Sequence, residues 1–205
     1  MSTRTGFRKE MNEYDVIKYM MPTVQYIKAF CKDRKIASIT PSSTFAAKKL
    51  CKKIDFSKNN SILECGPGSG IFSFSILQQM SRGSRLLLVE SNGDFASCLE
   101  QKITDPRVDI FHDNAINMQS VIHRCGIQAV DYVILGIPFS FSNHEQNDRI
   151  IAHSKSILKK GGKLFVYQFS PRIRKYLRHH FNHDRIKLDF EMFNIPPLFI
   201  FEALS

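Results

Sequence analysis

Several features that would place a protein in a membrane, outside the cell or around a metal are missing from this chain of 205 residues. No apolar run approaches the roughly 20 residues that cross a bilayer, and the N-terminus lacks the apolar core of a signal peptide. The five cysteines are scattered without a C-x-x-C pair, and no His/Cys cluster has metal-ligand spacing. We therefore expect a cytoplasmic protein that requires no metal.

Acidic residues are also in short supply. Asp and Glu number 19 against 29 Lys and Arg, which gives a formal net charge of +10. Such an excess is typical of proteins that meet nucleic acid or an anionic membrane surface, although it also serves solubility. The hydrophobic content of 43% predicts a globular chain, and the length suits one α/β domain. The sign of the charge does not choose between RNA and lipid.

The chain is organised around residues 61–70, which read S-I-L-E-C-G-P-G-S-G. A short apolar run ends in Glu64, glycines follow at alternate positions, and an apolar helical pattern then covers residues 71–80. Strand, glycine turn and helix are how an open α/β sheet meets a nucleotide-type cofactor, because glycine lets backbone approach a ligand closely. A tight turn without a ligand has the same pattern. The turn comprises Gly66, Pro67, Gly68, Ser69 and Gly70.

Two further acids follow predicted strands. The apolar run Arg85–Glu90 is typical of a buried parallel strand, and Glu90 at its end is expected to accept hydrogen bonds from ribose hydroxyls. A third strand at residues 108–111 precedes Asp113, which either accepts from an adenine amino group or is a turn aspartate. The residues of the two turns are Glu90, Ser91, Asp113, Asn114 and Ala115.

The N-terminal part of the chain has an amphipathic pattern over residues 14–30 with cations on one side, interrupted by Pro22. Such a helix lies in a membrane interface or packs over the cofactor site as a lid. The serines Ser42 and Ser43 precede the next helical pattern and are expected to cap it or to meet a carboxylate. We divide the chain into a helical segment, 1–40, and a domain, 41–205.

The second half contains a fourth strand at residues 130–137, and the phrase G-I-P-F-S-F stands at its carboxyl end, where open α/β sheets hold substrate. A helix is predicted over 144–160, a fifth strand over 163–169, and a closing strand pair after residue 186. Between them lies a basic helix, which is a solvated face or, as we favour, a phosphate-contacting surface. Its cations include Arg172, Arg174, Lys175 and Arg178.

These motifs stand in the order of the class I S-adenosylmethionine-dependent methyltransferases, which the chain resembles over nearly its whole length. The resemblance implies a single Rossmann-like α/β domain, a seven-stranded mixed sheet with helices on both faces, preceded by an extra N-terminal helical segment. It implies S-adenosylmethionine as cofactor, with its methionine portion at the glycine turn and Glu64, its ribose at Glu90 and its adenine at Asp113. Ser42 or Ser43 is expected to contact the methionine end.

Two families within the class share the I-P-F type of fourth motif: the ribosomal RNA adenine N6-dimethyltransferases and the small bacterial phospholipid N-methyltransferases. The P-S-S phrase ending at Ser43, the one-domain length and the N-I-P-P phrase at residues 194–197 look more like the lipid family. The RNA enzymes typically begin this motif with Asn, whereas Gly136 stands here. Only the backbone carbonyls of Gly136 and Ile137 remain as hydrogen-bond acceptors for the amino group. An aliphatic amine, once deprotonated, depends less on such an acceptor to be nucleophilic.

The sequence therefore predicts an N-methyltransferase for the amine headgroup of a membrane aminolipid such as phosphatidylethanolamine, associated peripherally with an anionic membrane. Phe139 stacks on a base, packs beside a methylated headgroup or simply packs in the core. Two alternatives stay open: an RNA adenine N6-methyltransferase, and a non-catalytic cofactor-binding protein that docks at membranes. The acceptor is expected beside Gly136, Ile137, Pro138 and Phe139, and the candidates for the unidentified base are Tyr19, Tyr26 and Tyr167.

Overall fold

One mixed sheet of seven strands forms the centre of the computed structural model, which describes residues 41–139, 143–192 and 198–205. The strands are β1 (Ser61–Cys65), β2 (Arg85–Glu90), β3 (Val108–His112), β4 (Val130–Leu135), β5 (Leu158–Gln168), β6 (Ile186–Glu191) and β7 (Leu198–Leu204). Their order is β3-β2-β1-β4-β5-β7-β6. The first five are parallel, and β7 runs antiparallel between β5 and β6.

Helices cover both faces of this sheet. They are α1 (Pro41–Cys51), α2 (Ile71–Leu77), α3 (Gly93–Lys102), α4 (Met118–Arg124), α5 (His144–Ser156) and α6 (Arg174–His180). Because alternate residues of a strand point to opposite faces, Ile62 packs in the core beneath α1–α3, whereas Leu63 packs in the core beneath α4–α6. The predicted fold class is confirmed for the described residues, and the predicted segment 1–40 lies outside them.

The strand order reverses between β1 and β4, and this reversal positions the site. From β1 the chain adds β2 and then β3 on one side, and it returns to place β4 on the other side of β1. The loops after β1 and β4 therefore diverge at their carboxyl ends and leave a crevice, where sheets of this kind hold ligands. None of the described helices is long and apolar enough to span a membrane.

Several boundaries differ from the sequence-based expectation, and those around β5 and α1 differ for a physical reason. The helix predicted to reach residue 160 ends at Ser156, because Leu158 pairs with Val130 and begins β5. Gly161, expected to stop the helix, lies inside β5 at φ +78°, next to a register irregularity. Helix α1 begins at Pro41, so Ser42 and Ser43 lie in its first turn rather than at its N-cap.

Candidate active site

The glycine turn between β1 and α2 opens onto free space. Gly66 adopts φ +74° and donates its N–H to the Val89 carbonyl at 2.8 Å, which extends the pairing of β1 with β2 by one residue. A Cβ at Gly66 would lie 2.8 Å from the Ile137 side chain, so a larger residue does not fit there. A Cβ at Gly68, in contrast, would meet none of the described residues within 4 Å. The turn thus presents bare backbone to a ligand.

Glu64, in β1, is fully buried and incompletely hydrogen-bonded. The Ser73 hydroxyl donates to its Oε2 at 2.6 Å, whereas its Oε1 has no hydrogen-bond partner among the described residues. Burial raises the pKa of Glu64 to about 7, with the Ser73 hydrogen bond opposing the shift and the charge of Glu90 adding to it. An unpaired buried carboxylate oxygen is costly, so this position suits a ligand that brings a donor or a positive charge.

Glu90, at the end of β2, fastens the glycine turn. Its Oε2 accepts from the Gly68 N–H at 3.0 Å and its Oε1 from the Asn92 N–H at 2.9 Å, and only 5% of the residue is exposed. Each carboxylate oxygen retains a second lone pair, which leaves the expected ribose contact possible. The sequence pointed to Glu90 as a ligand-binding acid but not as the anchor of the turn. Ser91 beside it is exposed.

Asp113 follows β3, and its N–H donates to the Glu90 carbonyl at 3.0 Å, so the two turns are adjacent. Its carboxylate accepts from Asn117 at 2.7 Å and the Asn114 N–H at 2.8 Å, and pairs with Arg124 at 2.9 Å. The Asn117 hydrogen bond is the leading cause that holds the pKa of Asp113 low. Asp113 is thus a turn aspartate in the structure, and its contact with adenine stays a prediction. Ala115 is buried.

The fourth motif lies directly against the glycine turn. The Gly136 N–H donates to the Cys65 carbonyl at 2.9 Å, and the Ile137 carbonyl accepts from the Gln168 amide at 2.6 Å. Phe139, beyond Pro138, is 6% exposed and belongs to the core beneath α4–α6, so core packing accounts for its ring. Two backbone carbonyls, those of Gly136 and Ile137, were expected to accept a hydrogen bond from the substrate amine. The Ile137 carbonyl already accepts one from Gln168.

Tyr167, in β5, occupies the space above Gly136. A Cβ at Gly136 would overlap the Tyr167 hydroxyl, and the Tyr167 ring stacks on Phe72 with centroids 4.1 Å apart. Burial, together with the charges of Glu64 and Glu90, raises the pKa of Tyr167 well above 10. The phenol is therefore protonated at neutral pH and suited to donate a hydrogen bond, not to act as a phenolate base. Tyr19 and Tyr26 lie outside the described residues.

The basic helix predicted from the sequence, here called the basic segment (residues 172–180), follows β5 at the same edge of the sheet. Its four predicted cations are all exposed: Arg172, Arg174, Lys175 and Arg178. The fold adds two residues that the sequence did not single out. His144, at the start of α5, places Nδ1 2.5 Å from the Tyr176 hydroxyl and 3.0 Å from Lys175 Nζ. These residues are about thirty positions apart, and no local pattern links them.

A histidine–aspartate cluster also joins α5 to α6. Asp148 Oδ1 contacts His179 and His180 at 2.9 Å each, and the His179 hydrogen bond leads the causes that lower the pKa of Asp148. The three side chains lie close enough to share a metal ion. The hydrogen bonds to the aspartate account for this arrangement without one.

The sheet order, the glycine turn and the acids at consecutive strand ends define a class I S-adenosylmethionine-dependent methyltransferase. The cofactor fits the residues present, because Gly68 opens onto free space and the unpaired Glu64 oxygen suits a cationic ligand. Residues 42–153, more than half of the chain, match the family model described as "Ribosomal RNA adenine dimethylase". The chain belongs to this family.

Individual relatives extend this result. An ornithine lipid N-methyltransferase of Singulisphaera acidiphila is 25% identical over 175 residues, which are 83% of this chain and 88% of the relative. Among solved structures, the N-methyltransferase NodS of Bradyrhizobium japonicum with S-adenosylhomocysteine has a TM-score of 0.66 at 10% identity, covering 89% of this chain and 98% of that one. A structure titled as a putative rRNA-methylase from Clostridium thermocellum has a TM-score of 0.59 at 15% identity, covering 82% and 99%. The predicted enzyme class and cofactor are confirmed.

Proposed function

We propose that this methyltransferase acts on the primary amine of a membrane aminolipid, such as phosphatidylethanolamine or a lipid with an ornithine headgroup. The observation that carries the proposal is the packing of Tyr167 over Gly136. An asparagine at position 136 has no room for its side chain there, because the Tyr167 ring is held by its stack on Phe72. The acceptor therefore meets backbone carbonyls where an adenine-modifying site supplies a side-chain oxygen.

This difference matters because of the nitrogen that is methylated. The lone pair of adenine N6 is delocalised into the ring, so that nitrogen depends on an acceptor that favours a more nucleophilic form. A deprotonated aliphatic amine is already nucleophilic. The relative that methylates ornithine lipid, which covers 83% of this chain, supports the same choice.

S-adenosylmethionine supplies the electrophilic methyl group. The chain's own residues contribute position and exclusion of water. Glu64 offers a buried negative charge to the cationic end of the cofactor, and Glu90 holds the glycine turn at Gly68 while it faces the ribose. The carbonyl of Gly136 orients the amine toward the methyl group.

The membrane surface is the second partner in this proposal. The exposed cations of the basic segment, Arg172, Arg174, Lys175 and Arg178, would attract an anionic leaflet. This contact would keep the enzyme peripheral, on the cytoplasmic side, with its amine site beside the headgroups. The amphipathic pattern of residues 1–40, which lie outside the described residues, would add to the attachment.

An RNA adenine N6-methyltransferase is the second candidate. The family model and the net charge of +10 favour it, because phosphate backbones bind basic proteins in a salt-dependent manner. The non-catalytic alternative has no support once the family is assigned.

The test is transfer of a radiolabelled methyl group from S-adenosylmethionine, run in parallel on phosphatidylethanolamine vesicles, ornithine-lipid vesicles and protein-free ribosomal RNA. We expect label in a lipid fraction and none in RNA. The double variant Glu64→Ala/Glu90→Ala is the control, since it should lose cofactor binding and all transfer. Label confined to RNA would overturn the aminolipid proposal and mean that Gly136 tolerates adenine.

A further inference from the structure

A small polar pocket opens beside the fourth motif. Its volume is about 200 Å³, and it lies between the start of α5 and the chain that leads from β5 into α6, next to Phe139. None of the described residues that line it is acidic. Its polar wall includes His144, Asn147, Ser170, Arg172, Lys175 and Tyr176.

The hydrogen bonds in this pocket make Nδ1 of His144 a hydrogen-bond acceptor. A charged lysine ammonium has donors only, so the 3.0 Å contact with Lys175 requires His144 Nδ1 to be an unprotonated acceptor. The Tyr176 hydroxyl lies 2.5 Å from the same nitrogen, so it shares the single Nδ1 lone pair with Lys175. Asn147 donates to the Phe139 carbonyl at 2.9 Å and thereby ties the pocket to the fourth motif. The pocket is thus lined by ordered donors.

The positive charge of the pocket has no acidic partner among the described residues. None of the ion pairs formed by the described residues involves Arg172 or Lys175. Asp148, the neighbouring acid of α5, contacts His179 and His180 instead. Lys175 also lies over the Tyr176 ring, 4.7 Å from its centroid, which directs its ammonium along the pocket wall. Two cations without an acidic partner among the described residues, beside hydroxyl groups, form an anion-binding environment.

We infer that this pocket binds the anionic group of the acceptor headgroup, a phosphate diester or a carboxylate. The inference rests on the proposed function, because it takes the amine at residues 136–139 to be the methylated group. At about 200 Å³ the pocket is smaller than the roughly 300–1,000 Å³ of sites that enclose drug-sized ligands. It holds one small anion and leaves acyl chains outside. Phosphatidylethanolamine and an ornithine headgroup both carry such an anion a few bonds from the amine.

The variant Lys175→Gln tests the subsite, because it removes the charge and keeps the length of an exposed side chain. The matched control is Lys160→Gln, an equal change at an exposed position near the opposite end of β5. Methyl transfer is measured on a monomeric short-chain phosphatidylethanolamine, on an N-acylated ornithine, and on an alkylamine without an anion. Monomeric acceptors keep membrane docking out of the measurement.

We expect Lys175→Gln to raise KM about ten- to a hundredfold for an anion-bearing acceptor, the range typical for loss of a charged hydrogen bond. Its reaction with the plain alkylamine, which offers the pocket no anion, should change far less than its reaction with anion-bearing acceptors, and Lys160→Gln should change neither reaction. A larger effect on the phosphate acceptor identifies a phospholipid headgroup, and a larger effect on the carboxylate acceptor identifies an amino-acid headgroup. An equal loss with the plain alkylamine would overturn the inference.

A direct binding measurement separates this inference from the proposed function. Inorganic phosphate is titrated into the protein saturated with S-adenosylhomocysteine, and the imidazole NMR signal of His144 is followed, assigned with His144→Gln. A saturable shift in the wild type that Lys175→Gln loses supports the pocket, and no shift overturns it. A wild type that methylates no aminolipid would overturn the proposed function and the headgroup assignment together. Aminolipid transfer that Lys175→Gln leaves unchanged would overturn the pocket alone.

Discussion

Replacement of Glu64 by glutamine should stabilise the cofactor-free protein at alkaline pH and weaken its binding of S-adenosylmethionine. The folded state raises the pKa of this carboxyl from an ordinary 4.5 to about 7, chiefly because it is buried. The carboxyl's contribution to stability is therefore fully present below about pH 4.5 and is lost as the pH rises through about 7. At pH 8 the buried charge costs about 3 kcal/mol, since each pKa unit corresponds to about 1.4 kcal/mol.

Glutamine recovers only part of this cost. Ser73 keeps an oxygen to donate to, but an amide N–H group then takes the place of Oε1, which has no partner among the described residues. That unpaired donor costs about 1–2 kcal/mol. We therefore expect Glu64→Gln to be about 1–2 kcal/mol more stable than the wild type at pH 8. At pH 5 it should be less stable than the wild type, whose carboxyl is then neutral.

The assay is chemical denaturation of both proteins without cofactor at pH 5, 6, 7 and 8. Glu202→Gln is the matched control on the same sheet, because Lys163 contacts this buried carboxylate at 2.9 Å and the pKa of Glu202 is lowered. That variant should be less stable than the wild type at neutral pH. This difference in the free energy of unfolding should shrink as the pH falls through the acidic range. Parallel pH profiles of the wild type and Glu64→Gln would refute the account of Glu64.

The ionised form of Glu64, which destabilises the cofactor-free protein, should strengthen the binding of the cofactor. S-adenosylmethionine carries a sulfonium and an ammonium, and positive charge nearby favours the ionised form of Glu64. The wild type should bind it more tightly at pH 8 than at pH 6, whereas Glu64→Gln should bind it more weakly and without this pH dependence. Equal affinity of the two proteins across this range would contradict a contact between Glu64 and the cationic end of the cofactor.

Three further predictions concern the neighbouring residues. Gly136→Ala should lower the free energy of unfolding by about 1–3 kcal/mol, because its Cβ overlaps the Tyr167 hydroxyl, and Gly136→Ala should cost less in a Tyr167→Ala background; equal costs in the two backgrounds would contradict the overlap. Asp113→Ala should raise the Kd of S-adenosylmethionine about tenfold in calorimetry, while Arg124→Ala, which removes only its ion-pair partner, should change it little. Tyr167→Phe should keep the pH–rate profile of methyl transfer, since the phenol is already protonated; loss of a limb would identify Tyr167 as the base.

The arrangement of the glycine turn and the two acids was predictable because its signals are local. A buried strand, a glycine turn and a helix follow one another within residues 61–77, and the acids Glu90 and Asp113 each stand just beyond a strand. Parallel strands bring their carboxyl ends to one edge, so sequence order alone puts these groups side by side. This topology places Gly68 near Glu90, but only the structure shows that the Gly68 N–H donates to the Glu90 carboxylate.

The remaining features depend on contacts between distant parts of the chain. Leu158 belongs to β5 because it pairs with Val130, which no helical periodicity reveals. The raised pKa of Glu64 depends on complete burial by its surroundings. The packing of Tyr167 against Gly136 and the contact of His144 with Tyr176 each join residues about thirty positions apart. Local pattern identifies such residues only as members of a strand or a helix.

The limits of the family match separate the cofactor motifs from the segment in which the proposal places most of the acceptor contacts. The family model ends at residue 153, after the glycine turn, the two acids and the fourth motif. Arg172, Lys175 and Tyr176 lie beyond that limit, as does Tyr167 above Gly136. If the proposed function holds, the matched residues present the methyl group, and most of the polar lining of the proposed headgroup pocket comes from residues beyond the match. We then expect substitutions beyond residue 153 to change acceptor preference without changing the affinity for S-adenosylmethionine.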